Sequence, residues 1–329
     1  MTREPLVTLA DIEAARDRIG SAVRRTPLLT APRPARGGRA SSDAPDAIWL
    51  KCESLQWVSA FKARGAYHFV SRLSAAEREA GLLTYSSGNH AQAVAFAARS
   101  FGARARIVMP VDAPAVKREG TLALGAEVEL AGTTSSERKA RAEEILRDEG
   151  GTMVPPFDHP DIIAGQGTTG LEIVEQLAPG RPGLVLVPVG GGGLVSGVAA
   201  AVRGLCPEAT VVGVEPQGAA SMQRSLEAGE PVSLDSVETI ADGLKPVRPG
   251  DLTYRHCREL VDRVVTVTDE AIRAAVVWLF GRRLVVEPSG AATVAALLEG
   301  AVEPAEHGAT VAVLSGGNIE PSLLADWIR

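Results

Sequence analysis

Four consecutive glycines, Gly190 to Gly193, stand between the apolar run Leu184–Val189 and the alanine-rich, helix-prone stretch Leu194–Val202. A strand, a turn without Cβ atoms and a helix in that order let backbone N–H groups close on an anion, and the first helical turn adds unpaired donors and partial positive charge. The reading is a phosphate cradle. The alternative, a glycine-rich turn, would not need four residues that each carry an entropic cost. A nucleotide-hydrolysing loop requires lysine followed by serine or threonine, whereas Leu194-Val195-Ser196 follows here. The dinucleotide pattern of glycines at first, third and sixth places also breaks, since Val195 and Ser196 occupy the sixth places, which disfavours NAD.

The 329 residues, 45% hydrophobic and 22% charged, exceed the usual size of a single core, so two domains are expected. Net charge is −6 and the charges are dispersed, which argues against a nucleic-acid or anionic-membrane surface. No apolar run reaches membrane-spanning length and the N-terminus does not read as a signal peptide. Cys52, Cys206 and Cys257 are odd in number, widely spaced and read as reduced structural thiols. The expected location is the cytoplasm.

Lysine is scarce: Lys51, Lys62, Lys117, Lys139 and Lys245 are the whole set. Arginine replaces lysine in surface pairing but not where a deprotonable amine must attack a carbonyl. Lys117 and Lys139 sit among charged neighbours and read as surface residues on solvated helices. Lys62 follows Val58-Ser59-Ala60-Phe61, where apolar neighbours could desolvate the amine and lower its pKa. It is the best candidate nucleophile, weighed against a lysine lying along an apolar face with its head in water.

Two more strand ends are small and polar. Gly81–Tyr85 runs into Ser86-Ser87-Gly88-Asn89-His90 and a helix over Ala91–Ser100, suiting a carboxylate at a helix N-terminus. Ala309–Leu314 ends at Ser315-Gly316-Gly317-Asn318. Further strands at Ile48–Cys52, Ala105–Pro110, Glu127–Leu130, Val211–Glu215 and Val264–Val267 alternate with helices such as Ser135–Asp148 and Thr168–Leu177. The expected fold is α/β, with open, mostly parallel twisted sheets flanked by helices and a ligand crevice at the carboxyl ends of the strands. Pro32–Pro45 reads as an irregular loop or short hairpin. Residues 81–157 read as a small domain inserted in a large one formed by 1–80 and 158–329.

In order and spacing, Ala60-Phe61-Lys62-Ala63-Arg64-Gly65-Ala66, Ser86–Gln92, Gly165-Gln166-Gly167-Thr168, Gly190–Gly193, Ala241-Asp242-Gly243 and Ser315–Asn318 resemble the fold-type-II, tryptophan-synthase-like pyridoxal-phosphate enzymes. Threonine/serine dehydratases, serine racemases and hydroxyaspartate dehydratases are the nearest in pattern. The resemblance implies pyridoxal 5′-phosphate in the cleft between large and small domains, held by Lys62 as a Schiff base. It implies that Gly190, Gly191, Gly192 and Gly193 bind the phosphate, that Asn89 bonds the ring hydroxyl, and that Ser315 faces the pyridine nitrogen. Phe61, Gly243, Glu287 and Gly316 would line the cofactor, with a buried structural carboxylate as the other reading of Glu287. Ser86, Ser87, Gly88, Asn89 and His90 would receive the substrate carboxylate, and Ser87 matches the acid on the face opposite Lys62. Arg64 would anchor the lysine segment through an ion pair.

The activity so implied is α,β-elimination from L-threonine or L-serine, giving a 2-oxo acid and ammonia in a homodimer. Racemisation of serine and 3-hydroxyaspartate dehydration are the alternatives, followed by β-replacement and a non-catalytic binding relative. The family often has Gly-Ser-Phe-Lys here, whereas Ser59-Ala60-Phe61-Lys62 lacks the serine next to phenylalanine, as some hydroxyaspartate dehydratases also do. Where serine racemases hold a divalent cation, the series is Glu215, Ala219 and Ser221. Serine in place of a carboxylate removes a charged oxygen ligand, so Glu215 and Ala219 are weak metal candidates and no firmly bound metal is expected. The end at Arg329 leaves no room for the regulatory domain of biosynthetic threonine dehydratases, and isoleucine feedback is not expected.

Overall fold

The computed structural model describes residues 4–34, 47–86 and 88–329. Ser87 and most of the Pro32–Pro45 loop therefore lie outside the described residues. The strands are β1 (Leu28–Pro32), β2 (Ala47–Cys52), β3 (Leu82–Tyr85), β4 (Ala105–Met109), β5 (Glu127–Leu130), β6 (Thr152–Met153), β7 (Pro182–Pro188), β8 (Thr210–Pro216), β9 (Arg263–Val267) and β10 (Ala309–Leu314). The α-helices are α1 (Leu9–Ile19), α2 (Lys62–Arg72), α3 (Ala75–Glu79), α4 (Asn89–Ser100), α5 (Ala115–Ala123), α6 (Ser135–Glu149) and α7 (Pro160–Leu177). They continue with α8 (Gly193–Leu205), α9 (Ser221–Ala228), α10 (Asp251–Leu260), α11 (Asp269–Phe280), α12 (Pro288–Glu299) and α13 (Pro321–Ile328).

A six-stranded sheet runs β1-β2-β10-β7-β8-β9, parallel except for the antiparallel β1–β2 pair, so a strand stands where part of the Pro32–Pro45 region begins. A four-stranded, all-parallel sheet runs β5-β4-β3-β6. The apolar run of β7 is covered on both faces, as a central parallel strand must be. Leu184 and Leu186 face one core with Ile272, Ala292 and Ala295 of α11 and α12. Val185 and Val187 face the other with Val195, Val198 and Cys257 of α8 and α10. The core of the smaller sheet takes Val94 and Ala97 from α4, and also Ala66, Phe69 and Val70 from α2. No described helix is long and apolar enough to cross a membrane.

α4 begins two residues earlier than expected, at Asn89, and α7 departs furthest from its expected boundary. α7 starts at Pro160, not Thr168, with the His159 ring accepting from Asp161 N–H as N-cap and proline at the first position. The glycines of Gly165-Gln166-Gly167 stay helical because they permit close helix crossing. A Cβ on Gly165 would stand 2.6 Å from Gly65 Cα of α2, and one on Gly197 of α8 would stand 2.3 Å from Ile163 O.

Candidate active site

β7 and β10 are hydrogen-bonded neighbours, and the loops at their carboxyl ends carry the glycine run and Ser315. The chain reverses its order across the sheet here, which is where an open α/β sheet forms its crevice. Gly192 has φ +93°, a left-handed conformation that only glycine adopts freely. The Gly191 carbonyl accepts from Thr253 Oγ1 at 2.7 Å and is thereby turned toward α10. Among the described residues no protein acceptor takes the N–H of Gly190, Gly191 or Gly192, so these donors and the start of α8 are available to an anion.

Lys62 is the first residue of α2. The preceding turn is strained: Val58 and Ser59 hold φ of 54° and 51°, costly for a β-branched side chain. The β10 end holds that turn in place. Gly317 N–H donates to Ser59 O at 2.8 Å, Phe61 N–H to Ser315 O at 3.1 Å, and Asn318 Nδ2 to Val58 O at 2.8 Å. Lys62 Nζ donates to Pro156 O at 2.6 Å and lies 5.2 Å from the centroid of the Phe61 ring. Burial pulls the Lys62 ammonium down to about 8. The next residue after Pro156, Phe157, packs against the glycine loop, where a Cβ on Gly191 would stand 2.3 Å from its Cδ1. Pro156-Phe157 thus joins the amine to the glycine loop, a role that its reading as a domain boundary missed.

Asn89 begins α4 and donates its amide to Glu287, while its Oδ1 accepts from Asn318 Nδ2 at 2.9 Å. Glu287 is buried and also takes Lys117 Nζ at 3.0 Å. Gly243 N–H donates to Ser289 Oγ at 2.8 Å, and a Cβ on Gly190 would lie 3.1 Å from Gly243 O. Ser315 is buried at the β10 end. Gly316 accepts from Glu287 N–H at 3.0 Å and bridges to Ala60. Ser86 Oγ accepts from Gly88 N–H at 3.2 Å. His90 turns its ring to Val154 O at 3.1 Å, and burial, with Lys62 nearby, drops its pKa to about 3. Its ring is therefore neutral, and its contribution to an anion site is confined to its backbone at the start of α4.

Two expectations need correction or refinement. Lys117 is no surface lysine: it is 2% exposed, donates to Asp242 Oδ2 at 2.6 Å and is ion-paired with Glu287. Its charged neighbours along the chain disguise a side chain that points inward from α5. Lys139, by contrast, is an exposed helix lysine paired with Glu143. Glu215 accepts the N–H groups of Met222 and Gln223 at 2.8 and 2.9 Å and so caps α9, with burial pushing its pKa up to about 8. A carboxyl occupied in this way caps a helix, and Ala219 and Ser221 add no carboxylate to it.

A desolvated amine beside an anion-ready glycine loop defines a site for a phosphorylated carbonyl compound. The chain belongs to the pyridoxal-phosphate-dependent enzyme family, whose model matches residues 19–316. Serine racemase of Schizosaccharomyces pombe is 38% identical over 324 residues, which cover 98% of each protein. Biosynthetic L-threonine dehydratase of Pasteurella multocida is 43% identical over 274 residues, 83% of this chain, and the matched region is 53% of that longer enzyme. The crystal structure of maize serine racemase superposes with a TM-score of 0.88 at 35% identity, over 98% of this chain and 97% of that one. The cofactor is pyridoxal 5′-phosphate, and the available N–H donors and the free amine fit its phosphate and aldehyde.

A pH profile follows from the lowered pKa of Lys62. With a value near 8, about a tenth of the amine is neutral at pH 7 and about half at pH 8. Stopped-flow addition of pyridoxal phosphate to the apoprotein is expected to speed up about fivefold between those pH values and level off above about pH 9. An ordinary lysine would gain tenfold per pH unit up to about pH 10, and that profile would contradict the desolvation.

Proposed function

We propose that the protein is an ammonia-lyase that converts L-threonine and L-serine to 2-oxobutanoate or pyruvate and ammonia. The observation that carries this reading is Lys62, desolvated at the start of α2 and joined through Pro156-Phe157 to the glycine loop. When bound, pyridoxal phosphate supplies an aldehyde and a conjugated ring able to accept the electrons left at the substrate's Cα. Lys62 Nζ would hold the cofactor through its aldehyde and, as the desolvated amine of the site, would take the substrate's Cα proton. The N–H groups of Gly190 to Gly193 would hold the phosphate. Phe61, Gly243, Glu287 and Gly316 would wall the ring, and Asn89 would donate to its hydroxyl.

Ser315 would face the ring nitrogen with a hydroxyl. Unlike a carboxylate, a hydroxyl does not stabilise a proton there, which favours loss of the β-hydroxyl over transamination. Ser86, Ser87, Gly88, Asn89 and the backbone at His90 receive the substrate carboxylate. We read residues 81–157 as a small domain, borrowing core residues from α2, that closes this cleft. A homodimer in the cytoplasm completes the reading, in keeping with three buried free thiols.

The test is release of 2-oxo acid from L-threonine, L-serine and threo-3-hydroxyaspartate offered separately, with the chirality of remaining serine measured alongside. Product from threonine and serine supports the reading. D-serine without 2-oxo acid would move it to racemisation, favoured as the second reading by the full-length match to a serine racemase.

Gly191→Ala tests the cradle. The added methyl would collide with the Phe157 ring at 2.3 Å, so the dissociation constant for pyridoxal phosphate, read by fluorescence titration, is expected to rise about tenfold or more. Phe157→Ala in the same chain, which removes the Cγ and ring atoms that the methyl would strike, should recover part of the loss. Unchanged affinity would remove this loop from the cofactor site.

A further inference from the structure

Lys117 is a buried cation packed against Gly88, and its task the proposed reaction leaves open. Its aliphatic stem lies on Gly88, where a Cβ would stand 2.3 Å from Cδ, so α5 seats directly on the residue before α4. Its ammonium donates to Asp242 Oδ2 at 2.6 Å and is ion-paired with Glu287 Oε2 at 3.0 Å. The same turn of α5 has a second tie, Val116 N–H to Glu320 Oε1 at 2.9 Å. α5 follows β4 of the smaller sheet, whereas Asp242, Glu287 and Glu320 belong to segments around the larger sheet. Burial alone would lower the Lys117 pKa, but the two carboxylates reverse the sign and raise it, so the side chain stays charged.

Glu287 passes this constraint to Asn89. One carboxylate oxygen takes Lys117 and the other takes the Asn89 amide. Burial pushes the Glu287 carboxyl up, and the Lys117 ammonium in contact with it opposes this; held as a carboxylate it only accepts, so the Asn89 nitrogen faces Glu287 and its oxygen faces the Asn318 amide at 2.9 Å. Gly316 closes the remaining space, since a Cβ there would stand 2.1 Å from Glu287 Oε1. The amide can neither flip nor swing, and its second N–H is left for a ligand.

We propose that Lys117 is a positioning residue, which by clamping Glu287 and Asp242 fixes the Asn89 amide against the cofactor ring and holds α5 across the cleft. The proposal rests on the reading that Asn89 meets the ring. It deepens that reading by making ring polarity and cleft closure depend on one ammonium.

The experiment compares the visible absorption band, its fluorescence and the pyridoxal phosphate affinity in wild type, Lys62→Ala, Lys117→Met and Asp242→Asn. Lys117→Met is expected to shift the band maximum and weaken cofactor binding about tenfold, with KM for threonine raised more than kcat is lowered. Asp242→Asn should do the same to a smaller degree. Adding Glu287→Gln to Lys117→Met removes the stranded charge while keeping an acceptor for Asn89, and should return the band toward wild type. A band that is present in wild type and lost in Lys62→Ala, yet unmoved by Lys117→Met and Asp242→Asn with affinity within twofold, would overturn the clamp. Absence of any Lys62-dependent band would instead overturn the functional reading and the clamp together. If Lys117→Met does not fold, Asp242→Asn decides between these outcomes.

Discussion

Lys62→Ala is expected to release 2-oxo acid from L-threonine at least about 10⁴-fold more slowly than wild type, because in the proposed reaction one amine serves as both cofactor anchor and base. No other lysine can take over. Lys51 is buried and bonded to Glu172, Gln176 and Thr26 O, and Lys117 is bonded to Asp242 and ion-paired with Glu287. Lys139 and Lys245 are exposed. Residual turnover within tenfold of wild type would assign the proton transfer elsewhere.

The same variant carries a stability signature. Because the pKa of Lys62 is depressed to about 8 from 10.5, the folded apoprotein carries a penalised ammonium below that pH. The penalty is relieved as pH rises from about 8 toward 10.5. Lys62→Ala apoprotein should therefore melt above wild type at pH 7, and the difference should shrink by pH 10.

Arg64→Met is expected to destabilise the protein by about 3–5 kcal/mol, lowering Tm by roughly 5–10 °C. Arg64 is fully buried and forks onto both oxygens of Glu53 at 2.8 Å. It also bonds Glu172 at 2.6 and 2.9 Å and Thr168 Oγ1 at 3.1 Å. Burial would raise the Glu53 carboxyl, and Arg64, with Lys51 and the Thr26 hydroxyl, more than reverses this, holding it below its ordinary value. Its stabilisation is therefore present above the ordinary carboxylate pKa and is lost as pH falls through the depressed value.

Removing Arg64 strands Glu53, which is itself fully buried, and leaves Lys51 to serve two carboxylates. Glu53→Gln in the same chain should restore part of the loss, which distinguishes stranded charge from lost packing. A change in Tm of under about 2 °C for the single variant would contradict the account. The network lies under α2, within one turn of Lys62, so cofactor affinity should fall together with Tm.

The sequence alone determined the strand ends and what they carry. Gly190–Gly193 after an apolar run, Lys62 among apolar neighbours, Ser86–His90 before a helix and Ser315 after β10 are local patterns, legible because periodicity, small side chains and helix starts act over a few residues. The match of Ala309–Leu314 and Glu127–Leu130 to β10 and β5 has the same origin. Tertiary structure alone decided whether a charge is solvated and which backbone approaches which. Lys117 reads as a surface residue because its neighbours are charged, and only Asp242 and Glu287, brought in from distant segments, make it a buried clamp. Phe157 became the bridge to the glycine loop, α7 began early, and Glu215 became a helix cap through contacts that no local window contains. Propensity is a property of neighbours along the chain, whereas desolvation and partner choice are properties of neighbours in space.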